Sequence, residues 1–183
     1  HKGHRITVVD LPGAYGLTAF SAEELVARNF IIDEKPDVVA NVIDTSNLER
    51  NLYLTTQLIE LGVPIVLAFN MSDVAAQRGI VFDIDRLSEL LEAPIVPTVA
   101  SKTKGRIALL DAIIAEANAP RKPRTHRIKY GDEIENAMNQ IESLVCSEQP
   151  ALAVKYGSRW VALKLIEQDS DIIAKIKDSR LVD

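Results

Sequence analysis

Val63-Pro64-Ile65-Val66-Leu67-Ala68-Phe69-Asn70-Met71-Ser72-Asp73 is the stretch that decides the fold. Its first seven residues are apolar without alternation, the pattern of a strand buried on both faces in a parallel sheet covered by helices. The run then turns polar in one step at Asn70. In open parallel sheets, ligands bind beyond the carboxyl ends of the strands. A polar cluster at that place is therefore a candidate binding loop.

The same unit recurs on both sides. Upstream, residues 38–43 read as a second buried strand, and Arg5-Ile6-Thr7-Val8-Val9-Asp10 as a first one ending on an acid before the turn Leu11-Pro12-Gly13. Downstream, residues 94–99 form a fourth, ending on Ala100-Ser101. Helical patterns lie between. Ser21-Ala22-Glu23-Glu24 has capping-box spacing and opens a helix to about Ile32. A helix capped by Ser46 or Asn47 carries Leu48, Leu52, Leu58 and Ile59 on one face and closes at Gly62. Short helices precede Gly79 and cover residues 85–92. Gly105 opens one with Ile107, Leu110, Ile113 and Ile114 on its inner side. The fold class expected is α/β: a doubly wound, mostly parallel sheet followed by a small all-helical module.

The composition break Ala119-Pro120-Arg121-Lys122-Pro123-Arg124-Thr125 reads as a stiff linker. It divides the chain into a partial α/β domain (1–118), the linker (119–125) and the helical module (126–183). In the module Tyr130, Ile134, Ala137, Met138, Ile141, Leu144 and Val145 share one helical face. Trp160, Val161, Leu163, Leu165 and Ile166 make a second amphipathic helix, and Ile172, Ile173 and Ile176 a short third.

A hydrophobic fraction of 47% supports a sizeable core, and a net charge of −5 speaks against a nucleic-acid partner, which would need a basic face. The single cysteine, Cys146, forms no internal disulfide and reads as a small buried residue on a helix in a reducing compartment. No apolar run reaches the length of a membrane span, and no signal peptide is read at His1. His1, His4 and His126 read as surface or linker residues; with Cys146 they show no metal-ligand spacing.

Three strand ends carry the chemistry. Asp10 can hold the water shell of a Mg²⁺ ion beside a nucleotide phosphate, and Gly13, without a Cβ, lets its N–H approach a phosphate oxygen. Asp73 can accept the N1–H and 2-amino hydrogens of guanine, whereas adenine presents an acceptor at N1 and lacks the 2-amino group. Asn70 can bridge the base and its loops. The alternative for this pair is structural, with Ser72 or Asp73 capping the next helix. A backbone N–H of Val99-Ala100-Ser101 can reach the guanine carbonyl.

Asp10-Leu11-Pro12-Gly13 followed by Tyr15-Gly16-Leu17 resembles the third GTPase motif of the ferrous iron transport protein B family. Asn70-Met71-Ser72-Asp73 resembles its fourth motif, with Met71 where most small GTPases have lysine. Residues 97–101 are similar to the fifth, with Val99 where serine is usual. Residues 159–169, Arg-Trp-Val-Ala-Leu-Lys-Leu-Ile-Glu-Gln-Asp, resemble the helical module that follows the G domain in that family. The resemblance implies a slow GTPase regulating ferrous iron uptake, with GTP or GDP and Mg²⁺ as ligands. It implies a place on the cytoplasmic side of the cell membrane and a membrane permease part beyond Asp183, and it leaves room for a homo-oligomer. A GTPase of a ribosome- or RNA-associated class and a nucleotide-free interaction module are the alternatives.

Two departures stand out. No Gly-x-x-x-x-Gly-Lys-Ser/Thr occurs, so the phosphate cradle and the threonine loop that completes Mg²⁺ coordination are expected upstream of His1. Ala14 stands directly after Gly13, where many GTPases carry the glutamine that positions water. No catalytic residue can be named.

Overall fold

A computed structural model describes residues 1–19, 21–120 and 128–176. Three parallel strands form the sheet, β1 (Val39–Asp44), β2 (Ile65–Asn70) and β3 (Ile95–Pro97), in the order β1-β2-β3. Val39 pairs with Ile65 and Leu67 with Ile95, so the polar ends Asp44 and Asn70 stand side by side. Around the sheet pack α1 (Ala22–Glu34), α2 (Leu48–Glu60), α3 (Ser72–Gln77), α4 (Ile84–Leu91) and α5 (Arg106–Asn118).

Two of the helix signals hold. Ser21 Oγ accepts the Glu24 N–H at 3.1 Å, the N-cap half of the capping box, while the Glu24 carboxylate accepts from Thr18 Oγ1. On α2, Leu48, Leu52, Leu58 and Ile59 all join the core built on Ile43, Ile65, Leu67 and Phe69. Asn47 makes no side-chain cap there; Asp44 accepts the Ser46 N–H instead.

Four expectations fail. Arg5–Asp10 is not a buried strand: it has no regular structure, Val8 is 81% exposed, and it pairs with no strand among the described residues. A strand needs a neighbour for its backbone groups, and apolar sequence does not supply one. Ala40 and Val42 of β1 are exposed, so β1 is half-buried rather than buried on both faces. Ile107, expected inside, is 55% exposed. His1, expected at the surface, sits partly buried with Nε2 2.6 Å from Asp111 on α5.

The second unit contains α6 (Asp132–Glu148), α7 (Pro150–Tyr156), α8 (Ser158–Ile166) and α9 (Ser170–Lys175). Helix α7 lies where no helix was read. Met138 and Val145 are fully buried, whereas Ile134, Leu144 and Ile166 are more than a third exposed. Cys146 is exposed on α6, not buried as expected. The core of this unit is Val145, Tyr156, Trp160, Val161 and Ile172, and it includes Ile32 of α1. Most of the linker and His126 lie outside the described residues. No helix among the described residues is long and apolar enough to cross a membrane.

At the seam between the units Arg28 of α1 is completely buried. Its Nη1 lies 2.8 Å from Asp169 and 3.5 Å from the Leu17 carbonyl, its Nη2 binds Asp171, and its guanidinium lies 5.7 Å from the Trp160 ring centre. Arg159 makes a second tie, to Glu60 of α2 and Glu135 of α6. Burial raises the Glu60 carboxyl above its ordinary range, and Arg159 opposes the rise.

Candidate functional site: the corner beyond β2 and β3

The ends of β2 and β3 build one corner. Thr98 N–H donates to the Phe69 carbonyl at 2.8 Å, extending the β2–β3 pairing to the point where both chains leave the sheet. Asn70 Oδ1 then accepts the Ala100 N–H at 3.0 Å, and Ser72 Oγ donates to the Thr98 carbonyl at 3.0 Å. The two motifs are thus joined by side-chain bonds, not by sequence proximity. Thr45, after β1, adds a third tie by donating to the Asn70 carbonyl at 2.7 Å.

The capping alternative for Ser72 and Asp73 is not realised. The N-cap of α3 is Met71, with no side-chain cap bond. Met71 adopts a left-handed backbone (φ 58°), uncommon for a residue with a Cβ, and is 39% exposed. Asp73, inside the first turn, divides its oxygens: Oδ1 accepts the Val74 N–H of the same turn at 3.0 Å, and Oδ2 accepts from Lys102 Nζ at 2.6 Å. The Lys102 ammonium holds the Asp73 carboxyl below its usual range.

Val99 is buried, whereas Ala100 and Ser101 are exposed in a 3₁₀ turn closed by the Val99–Lys104 bridge. Gly105 underlies this loop. Its φ is +83°, and an added Cβ would lie 2.4 Å from the Pro97 carbonyl oxygen. Gly105→Ala is expected to lower stability by about 1–3 kcal/mol and to displace the 97–104 loop. Urea unfolding checks the first, and amide shifts of residues 97–104 the second.

The acidic turn is separate from this corner in its contacts. Asp10, Pro12 and Gly13 are exposed, whereas Leu11 and Ala14 pack against the core. Gly13 has nothing within 4 Å of an added Cβ, so packing does not demand glycine there. Tyr15 lies under the Arg50 guanidinium, 3.8 Å from its ring centre. Leu17 N–H donates to the side chain of buried Gln57, and Thr18 Oγ1 donates to Glu24 at 2.6 Å. Together these contacts fix the segment leading from the turn into α1. No group of three or more His, Cys, Asp or Glu able to hold a metal occurs among the described residues. Asp10 alone fits an ion held through water, not a direct protein cage.

Lys102, Thr45 and Arg50 escaped the sequence reading. Lys102 follows the fifth-motif residues directly, and its position there was the available signal. Nothing local marks Thr45 or Arg50.

A family model described as Ferrous iron transport protein B matches residues 1–113, and one described as FeoB cytosolic helical domain matches residues 130–183. The chain belongs to the ferrous iron transport protein B family.

Among curated FeoB relatives, the chain is 41% identical over 174 residues to the Fe(2+) transport protein A/Fe(2+) transporter FeoB fusion protein of Porphyromonas gingivalis. It is 37% identical over 173 residues to the Fe(2+) transporter FeoB of Escherichia coli K12. These matches cover 94% and 91% of the chain but 20% and 21% of the relatives, so it spans about a fifth of their length. Among solved structures, an S. thermophilus NFeoB mutant bound to mGDP superposes with a TM-score of 0.83 at 36% identity, covering 94% of this chain and 66% of that one. The cytosolic domain of T. maritima FeoB in its GMPPNP form gives 0.86 at 27% identity, covering 96% and 67%. The fold is that of the FeoB G domain, of the P-loop GTPase type, with its helical module.

Proposed function

We propose that this chain binds guanine nucleotides as part of a GTPase that regulates ferrous iron passage through a membrane. The observation that carries the reading is the Asn70–Ala100 bond, which joins the fourth and fifth motifs around the Asp73 carboxylate. Asp73 accepts the two guanine donors, the fifth-motif backbone faces the guanine carbonyl, and the Met71 thioether side chain covers the base. Support comes from relatives solved with nucleotide: S. thermophilus NFeoB is described bound to mGMPPNP, and to GDP.AlF4- and K+.

Asp10 and Gly13 face the phosphates, with Asp10 holding Mg²⁺ through water. A bound Mg²⁺ would neutralise charge on the phosphate oxygens. Ala14 offers no polar atom to an attacking water, so hydrolysis is slow. We assign residues 1–118 to nucleotide binding, 119–125 to a linker and 126–183 to the helical module. In a protein of the relatives' length, a membrane permease part completes the transporter, and this chain works on the cytoplasmic side. The helical module senses the nucleotide through α1, whose Arg28 touches both the loop after Gly13 and the α8–α9 turn.

Phosphate contacts supply much of the affinity in such sites, and the cradle motif is absent from these residues. Calorimetry is expected to show GDP binding, and little ADP binding, by the full-length protein, and very weak GTP binding by residues 1–183 alone. Equal affinity for GDP and ADP would reject guanine recognition. Tight Mg²⁺-dependent binding by residues 1–183 would reject the placement of the phosphate contacts elsewhere.

A further inference from the structure

We infer that Lys102 is a specificity-positioning residue, orienting the Asp73 carboxylate so that it discriminates the 2-amino group of guanine. The inference rests on the guanine reading above and adds a residue outside the fourth and fifth motifs as the sequence defines them.

An aspartate carboxylate turns easily, because its terminal torsion is broad and two-fold. Holding it in one plane takes a contact on each oxygen. Asp73 has both: the Val74 N–H on Oδ1 at 3.0 Å and Lys102 Nζ on Oδ2 at 2.6 Å. Among the described residues Lys102 is the one side chain that donates to it. Its motif neighbours are otherwise employed or unsuited. Ser72 Oγ is spent on the Thr98 carbonyl, and Val99 is apolar and buried.

The backbone places Lys102 for this task. The Lys102 N–H donates to the Val99 carbonyl at 3.0 Å, closing the 3₁₀ turn, and Thr103 then takes a left-handed conformation. The turn thereby brings the lysine over α3 from the opposite loop. Each carboxylate oxygen has more than one acceptor site, so these anchors leave room for two base donors. Guanine offers two donors side by side, and a carboxylate held in plane meets both. A freely turning carboxylate keeps its charge but loses that match.

The test compares GDP with IDP, whose base lacks the 2-amino group, in the full-length protein. Lys102→Met is expected to lower GDP affinity roughly two- to fivefold, the range open to a solvent-exposed ion pair, and to change IDP affinity less. Lys102→Arg should restore most of the GDP-to-IDP ratio. Adding Lys102→Met to Asp73→Asn should have no further effect. Unchanged affinity and ratio in Lys102→Met would overturn the inference, and tighter GDP binding would make Lys102 a competitor of the base instead. If Asp73→Asn leaves GDP binding unchanged, the guanine reading itself fails; if only Lys102→Met is silent, the failure belongs to this inference alone.

Discussion

Asp73→Asn is expected to lower GTP affinity of the full-length protein roughly ten- to a hundredfold, while xanthine nucleotides are tolerated better. The substitution keeps size and shape but replaces an acceptor by a donor facing two guanine donors, so a charge-assisted contact becomes a mismatch. Xanthine carries a carbonyl where guanine has its amine, and an amide donor suits it. Asn70, Ala100 and the β2–β3 end do not depend on the Asp73 charge for their mutual bonds, so the corner should persist. Paired titrations with GTP and XTP decide the matter. Unchanged GTP binding, or a parallel loss for both nucleotides, would remove Asp73 from base recognition.

The second large effect is expected at Arg28. Its side chain and that of Asp169 are 0% and 2% exposed, so removing the cation strands a buried carboxylate. Arg28→Met is expected to destabilise the contact between α1 and the helical module by about 3–5 kcal/mol. The lower end applies, because Asp169 also accepts the Asp171 and Ile172 N–H groups as the cap of α9. Trp160 is the single tryptophan, so its fluorescence during urea unfolding reports on this seam. Arg28→Lys should recover only part of the loss, since one ammonium cannot reproduce a fork that reaches Asp169, Asp171 and the Leu17 carbonyl. A change below about 1 kcal/mol would mean that the seam is held by apolar packing instead.

The same variant bears on the proposed relay. In the full-length protein, hydrogen exchange in residues 130–145 and 160–166 is expected to differ between GDP and a non-hydrolysable GTP analogue. Arg28→Met should reduce that difference. Identical protection in both nucleotide states of the unmodified protein would make the helical module a spacer.

Much of this protein was legible in the chain itself. The unbroken apolar run before Asn70 determined a covered parallel sheet, because burial on both faces leaves no polar positions in a strand. The Ser21–Glu24 spacing set the start of α1, since capping is a bond between near neighbours. The residues proposed to read the base were visible for a similar reason: strand ends are where apolar sequence stops. What depends on partners distant in sequence was not legible. Arg5–Asp10 has the composition of a strand but no neighbour to complete it, and pairing is a property of two segments. Ser72 and Asp73 were compatible with helix capping until the opposite loop supplied Thr98 and Lys102 as partners. The burial of Arg28 was equally hidden, because an arginine is placed inside only when carboxylates 141 and 143 residues away fold against it. Local bonding is written in adjacent residues; the pairing of charges across the seam exists only once the helices have packed.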